Sequence, residues 1–378
     1  MSRPLAQHRA RARRGLAARG VGFAVAVAAL VLGWAGMAGA DPAGPTDYAS
    51  SIVDIDPPSD AVTAEMLGGD SFLQLTVRAG HEVIVTGYEG EPYLRFRADG
   101  VVEENRRSPS RWLNQDRYGE AGPGADADAD AEPEWAAVGA GGRFSWHDHR
   151  THWMNRARPL GAGPGDQILE AVVPLVIDGE PAGATVVSVW QAPPARWPAM
   201  AAALAAIAAA GVAMRRRGPA GPALLAAVGV AATVVGGVEF VSMPSEARTS
   251  PLVWALPVLG SIAAAAGVVL ARRGAGSAAA AATTLAGLDL VLWGALRRQG
   301  LARAVLPTSL DWQLDRAVTA AALAAGALGA LAGAAGVWRA SGRAPGRMPP
   351  GAGAPTPGAP ASTAAQPAPG GSLPQSSS

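Results

Sequence analysis

Five apolar runs in the second half of the chain set the first constraint on its fold. They cover residues 197–214, 222–241, 252–271, 275–296 and 317–338. Each is close to the roughly 20 residues that a helix needs to cross the hydrocarbon of a bilayer. In lipid, a segment must satisfy its own backbone N–H and C=O groups, so each run is predicted as a helix. Charged residues make up 16% of the chain, against roughly 25% in ordinary soluble domains. The sequence therefore predicts a bundle of five transmembrane helices, with the lipid bilayer as its first partner.

Arginine placement gives these spans a direction. The chain has no Lys, so Arg supplies every fixed positive side chain. Arg215, Arg216 and Arg217 follow the first run, Arg272 and Arg273 the third, and Arg339, Arg343 and Arg347 the fifth. Basic loops stay on the cytoplasmic side, which puts everything before residue 195 outside the cell. One loop breaks the pattern: the last outer segment carries Arg297, Arg298, Arg303 and Arg316, only partly offset by Asp311 and Asp315. Residues 340–378 are Pro, Gly, Ala and Ser, the composition of a disordered cytoplasmic tail.

Residues 1–40 read as a signal peptide. Residues 3–19 are basic, 21–36 are apolar, and Ala38-Gly39-Ala40 is a small-x-small cleavage site before Asp41. An uncleaved signal anchor is the alternative, and both leave residues 41–194 outside the cytoplasm. That region is polar and reads as short strands. Residues 72–77 alternate, 82–86 follow a Gly turn, and 93–97 alternate again before Ala98-Asp99-Gly100. Residues 171–177 and 184–190 flank Asp178-Gly179-Glu180-Pro181, a second hairpin signal. The expectation is an all-β sandwich of immunoglobulin-like type. The acidic run within 119–134 reads as a solvated loop, with a cation site as the alternative.

Composition also excludes chemistry. The chain has no Cys, which removes disulfides, thiolate metal sites and Cys nucleophiles. A net charge of +1 argues against nucleic acid as a partner. No Gly-x-Ser-x-Gly elbow, HExxH or phosphate loop is present. Two carboxylates fall within or near the spans, and charges there are functional candidates. Asp289 lies eight residues before Arg297, roughly 12 Å below the outer end of its helix. Glu239 lies near the outer end of the second run. An interhelical hydrogen bond, or an ion pair with an outer-loop Arg such as Arg297, is the structural reading of both. The Ala, Gly and Val of the helices suit a tight bundle or a homo-oligomer.

The most distinctive stretch is Trp146 to Met154, WHDHRTHWM, which holds three of the five histidines. On a strand, His147 and His149 share a face. His152 joins them only if the chain turns at Arg150-Thr151. Neutral imidazoles converging on one point suit copper or zinc. His81, Asp148 and Met154 are the additional candidate ligands. A rigid structural loop and a pH sensor are the other readings of the cluster.

Gly87 to Arg95, Glu104-Asn105, Asn114 with Asp116-Arg117-Tyr118, and WHDHRTHWM resemble a family of exported multi-pass membrane proteins of high-GC Gram-positive bacteria. That resemblance brings no activity with it. More loosely, an exported sandwich before a helical bundle is similar to copper-resistance proteins in which a CopC-like domain is fused to a CopD-like one. It implies exported copper handling. That family has a His at the mature amino terminus, where this chain would have Asp41. The leading expectation is a membrane-anchored module, not an enzyme, that binds copper or zinc through His147, His149 and His152. The alternatives are a metal-free envelope protein docking a membrane or exported partner, and a zinc-dependent hydrolase with Asp148 as its base.

Overall fold

The structure, a computed structural model, describes residues 43–341 apart from 121, 217 and 248. The expected signal peptide and almost all of the expected tail lie outside the described residues. The first part holds ten strands and a short helix: β1 (Tyr48–Asp56), β2 (Val62–Leu67), β3 (Phe72–Val77), β4 (Val83–Thr86), β5 (Pro92–Phe96), β6 (Val102–Asn105), α1 (Pro109–Leu113), β7 (Trp135–Gly139), β8 (Arg143–Trp146), β9 (Gln167–Ile177) and β10 (Glu180–Trp190). They form two antiparallel sheets, β1-β10-β9-β4-β5-β6-β7 and β2-β3-β8. This seven-plus-three division differs from the four-plus-three of an immunoglobulin constant domain.

The local rules behind these strands are visible. Ile177 pairs with Glu180, so Asp178-Gly179 is a two-residue loop. Both residues have positive φ, 49° and 88°, as the type I′ turn of a hairpin demands. Alternate residues of β3, β4, β5 and β9 point inward. Leu73, Leu75, Val83, Val85, Leu94, Phe96, Val173 and Leu175 share one core with Trp146 of β8. Both sheets contribute to that core, so each covers the apolar face of the other. The acidic run is solvated, as expected: Asp126, Asp128, Asp130, Glu132 and Glu134 are all exposed.

Five helices follow: α2 (Trp197–Arg215), α3 (Ala220–Ser242), α4 (Leu252–Arg272), α5 (Gly276–Leu296) and α6 (Trp312–Ser341). All are long and apolar enough to cross a membrane, and the chain is a multi-pass membrane protein. Small residues let the helices approach closely within the bundle. A Cβ on Gly326 of α6 would lie 2.8 Å from the Gly287 carbonyl of α5, so here backbone meets backbone. Pro257 interrupts α4 and has no N–H for the Val253 carbonyl one turn back. Trp293 of α5 fills that gap, its indole N–H donating to Val253 O at 2.6 Å.

This contact carries a prediction. Trp293→Phe should destabilise the bundle by about 1–3 kcal/mol, the cost of an unpaired buried carbonyl. Pro257→Ala gives the helix its missing N–H back, so Trp293→Phe should cost less in that background. Thermal unfolding of the four proteins in detergent measures the coupling. Equal costs in both backgrounds would show that the indole does not serve the Val253 carbonyl.

The β domain sits on the α5–α6 loop. Thr46 and Val305 exchange backbone hydrogen bonds of 3.1 and 2.9 Å. Asp47 accepts from Arg303 Nη1 at 2.6 Å and from Ala304 N at 3.2 Å. Ala43 and Phe72 bury Met243, which follows α3, between domain and bundle. Arg316 braces the loop from below, donating to the carbonyls of Gly300, Arg303 and Ala304 at 2.7–2.9 Å. Three of the four arginines that break the charge pattern of the spans are therefore in structural use. Arg303 holds Asp47, Arg316 holds the loop backbone, and Arg297 holds Glu239 and Asp315.

Candidate metal centre

The histidine stretch begins where β8 ends. Trp146 still pairs with Leu73, and the chain then leaves the sheet through a single 3₁₀ turn at His149–Thr151. Asp148 makes that turn. Its Oδ1 accepts from the Arg150 N–H at 3.1 Å, a cap on the first free donors of the turn. Its backbone oxygen accepts from Thr151 N at 3.0 Å and Thr151 Oγ1 at 2.7 Å. Ser50 of β1 anchors the far side, donating to Thr151 O at 2.6 Å.

The turn folds His152 back between the other two histidines. Its ring centroid is 5.5 Å from that of His147 and 5.6 Å from that of His149. The expectation that His147 and His149 form the primary pair on one strand face is corrected: neither is on the strand, and His152 is the central ring. His147 stacks on Phe72 at 4.7 Å, with 9° between planes. His149 stacks on Tyr88 at 5.8 Å and 18°.

Each imidazole is tied to the backbone on one side. His149 Nε2 donates to Asp116 O at 2.9 Å. His152 Nδ1 faces Trp153 O at 3.4 Å. The Ser71 backbone hydrogen-bonds His147. The opposite nitrogens of two rings, His147 Nδ1 and His152 Nε2, are buried without a hydrogen-bond partner among the described residues. Such tethering fixes the tautomer and leaves the other nitrogen as a lone-pair donor. Burial, followed by the positive charge of Arg117, lowers the pKa of His147 to about 4 and that of His152 to about 2. Both rings are thus neutral at physiological pH. Among the described residues no group of three or more His, Asp or Glu side chains is arranged to hold a metal ion.

The additional candidates fall elsewhere or are already engaged. Asp148 has both oxygens occupied: Oδ2 accepts from Trp146 Nε1 at 3.0 Å and Arg150 Nη2 at 2.8 Å, and Oδ1 from Arg150 Nε at 2.8 Å. It is a positioning group, its oxygens engaged by Trp146 and Arg150. His81 follows the far end of β3 from Phe72, roughly 16 Å away along the strand, and is bound to Asp178 at 2.7 Å on the surface. Met154 is exposed. Glu239 takes the structural reading through Arg297. Asp289 does not pair with Arg297; it packs against the Gly260 backbone of α4, and its Oδ2 has no hydrogen-bond partner among the described residues.

Several residues of the site carried no signal of their own in the sequence. Tyr88 accepts from the His149 N–H at 2.8 Å and donates to Asn114. Arg117 stands near enough to His147 and His152 for its charge to act on both, and it is paired with the buried Asp70 at 2.5 Å. Burial acts on Asp70 more strongly than this pairing and leaves its pKa raised. His147 also lines a cleft of about 630 Å³ between the β domain and the α5–α6 loop, together with Ser71, Arg117, Tyr118, Trp153 and Gln299. No family profile, no curated protein and no solved structure matches this chain.

Proposed function

We propose that this protein is a membrane-anchored binding module for a transition-metal ion, copper in its monovalent state, taken up by His147 and His152 with His149 as the third imidazole. One observation carries the reading: two neutral, buried imidazoles, centroids 5.5 Å apart, each with a nitrogen that has no hydrogen-bond partner among the described residues. Two imidazoles that share one ion at N–metal distances near 2.0 Å have centroids roughly 5–6 Å apart. An unsatisfied buried nitrogen costs free energy, and a bound ion removes that cost. The donor set is imidazole only, and Arg117 stands close by. Asp148 and Asp70 are already engaged by Arg150 and Arg117, and a donor set of neutral imidazoles favours the singly charged Cu⁺ over Zn²⁺ or Cu²⁺. The cleft beside His147 supplies access. The arginines at the helix ends opposite the β domain, Arg215, Arg216, Arg272, Arg273 and Arg339, support an orientation with the β domain outside the cell.

The test uses the full chain in detergent. Competition with a chromophoric Cu⁺ chelator under reducing conditions should give one ion bound at submicromolar affinity. His147→Ala or His152→Ala should weaken binding by ~100-fold, about 2.7 kcal/mol, and His149→Ala by less. Circular dichroism and gel filtration separate lost affinity from lost folding. Absence of Cu⁺ and Zn²⁺ binding at micromolar concentration would sink the proposal and leave the metal-free docking role.

A further inference from the structure

The cleft between β domain and bundle gathers four arginines, partly offset by carboxylates in and around it, Asp116 among them. Arg117, Arg156, Arg158 and Arg303 line it, and Asp47 is the one acidic residue of its wall. Asp70 and Glu120, outside the wall, pair with Arg117 and Arg156. That leaves Arg158 and Arg303 on the single carboxylate of Asp47. Arg303 takes it at 2.6 Å, while Arg158 reaches it only at 3.8 Å and stays 71% exposed. Arg158 lies over the Trp190 ring and Arg156 over the Tyr118 ring, at 5.5 and 4.3 Å, so aromatic faces hold both guanidinium groups at the cleft. Forked donors held in this way match phosphate oxygens.

The height of the cleft says where the phosphate comes from. Gln299, Ala302 and Arg303 form one wall, and α5 ends at Leu296, three residues before Gln299. The headgroup layer is roughly 5–7 Å thick on each side of the hydrocarbon, so this wall stands within it. Trp197, Trp254 and Trp312, at the starts of α2, α4 and α6, mark the same level; tryptophans gather at the membrane–water interface. We propose that the cleft binds the phosphate of an anionic phospholipid headgroup through Arg156 and Arg158, with Arg303 and Arg117 behind them. The phosphate site shares its cleft with His147, but its proposal does not rest on the metal reading, because neither Arg156 nor Arg158 belongs to the histidine cluster.

The experiment is lipid retention by the full chain in neutral detergent with a metal chelator present, read by native mass spectrometry. Phosphatidylglycerol should be retained at least ~10-fold better than phosphatidylcholine, the difference falling with added salt as guanidinium–phosphate contacts are screened. Arg156→Gln/Arg158→Gln should bring retention down to the phosphatidylcholine level while gel filtration stays unchanged. If the double variant does not fold, Arg158→Gln alone, at an exposed position, must still lower retention. Inorganic phosphate that binds in an Arg158-dependent way without any lipid preference keeps the phosphate site and assigns it a soluble source. Equal retention of the two lipids with no phosphate binding, or a preference that survives the Arg158→Gln substitution, overturns the proposal.

Discussion

Between pH 6.5 and 4.5 the metal-free protein should lose stability steeply, and replacing His152 should remove about half of the histidine share of that loss. The sign follows from which state binds the proton. His147 and His152 are lowered to about 4 and about 2 in the folded protein by burial and by Arg117. In the unfolded chain they titrate near 6.5. Below pH 6.5 the unfolded state takes up protons that the folded state refuses, so acid favours unfolding. Each histidine contributes about 1.4 kcal/mol per pH unit, and the two together about 2.7 kcal/mol. The His147 share levels off near pH 4, and the His152 share continues below it. Over two pH units this is a large part of the roughly 5–15 kcal/mol by which a domain is stable.

Other groups act in the same region. Asp70 and Glu104 are raised by burial and resist the loss. Burial also raises Glu91, but hydrogen bonds from Ser108 and Ser110 outweigh it and leave Glu91 lowered, so its contribution is lost only below about pH 4.5. The difference between wild type and His152→Asn is therefore the decisive quantity. Urea unfolding followed by Trp fluorescence, with chelator present, should show the slope against pH reduced by about one proton in the variant. An unchanged slope would mean that His152 is hydrated and protonatable in the folded state. The metal reading would then lose its neutral ligand.

Removing Arg297 should disassemble the end of the bundle that faces the β domain. Its guanidinium bridges Glu239 of α3 and Asp315 of α6, the latter at 2.7 Å, and lies over Trp293 of its own helix. All three charged side chains are nearly buried, with exposures of 11%, 10% and 3%. Arg297→Met leaves two carboxylates facing each other with no cation, which costs about 3–5 kcal/mol. Arg297→Lys should recover only part of this, because a single ammonium does not match a forked bridge. The neutral triple variant, Arg297→Met with Glu239→Gln and Asp315→Asn, should regain most of the stability. Size-exclusion profiles after heating in detergent report the folded fraction. Survival of Arg297→Met alone would show that water or lipid already solvates the two carboxylates. The expected damage extends to the β domain, since the triad lies below the loop that carries Ala304, Val305 and Arg303 to Asp47 and Thr46.

Much of the architecture was legible because its signals are local. Residues 72–77 form β3 as their alternation predicts. Asp178-Gly179 closes a hairpin because both positions need positive φ. The spans match their apolar runs within a few residues; α6 begins earliest, at Trp312, because Asp315 and Arg316 find partners on neighbouring segments. Strands β1 and β2 were not legible. YASSIVDID and VTAEML lack clean alternation, and their pairing with β10 and β3 supplies what the local pattern does not.

The sequence by itself determined the spans, the hairpin turns, the absence of thiol chemistry and the histidine count. It also marked Arg150-Thr151 as the place where a turn would recruit His152. Asp148 caps the turn locally, but only the tertiary structure decided that it forms, since Ser50 and Tyr88 must arrive from two distant segments to hold it. Only the tertiary structure likewise separated the two intramembrane acids: Glu239 meets Arg297, and Asp289 meets the bare backbone of Gly260. Periodicity is a property of neighbours along the chain. Charge pairing, burial and the freeing of an imidazole nitrogen depend on what distant segments bring, and that is settled by packing.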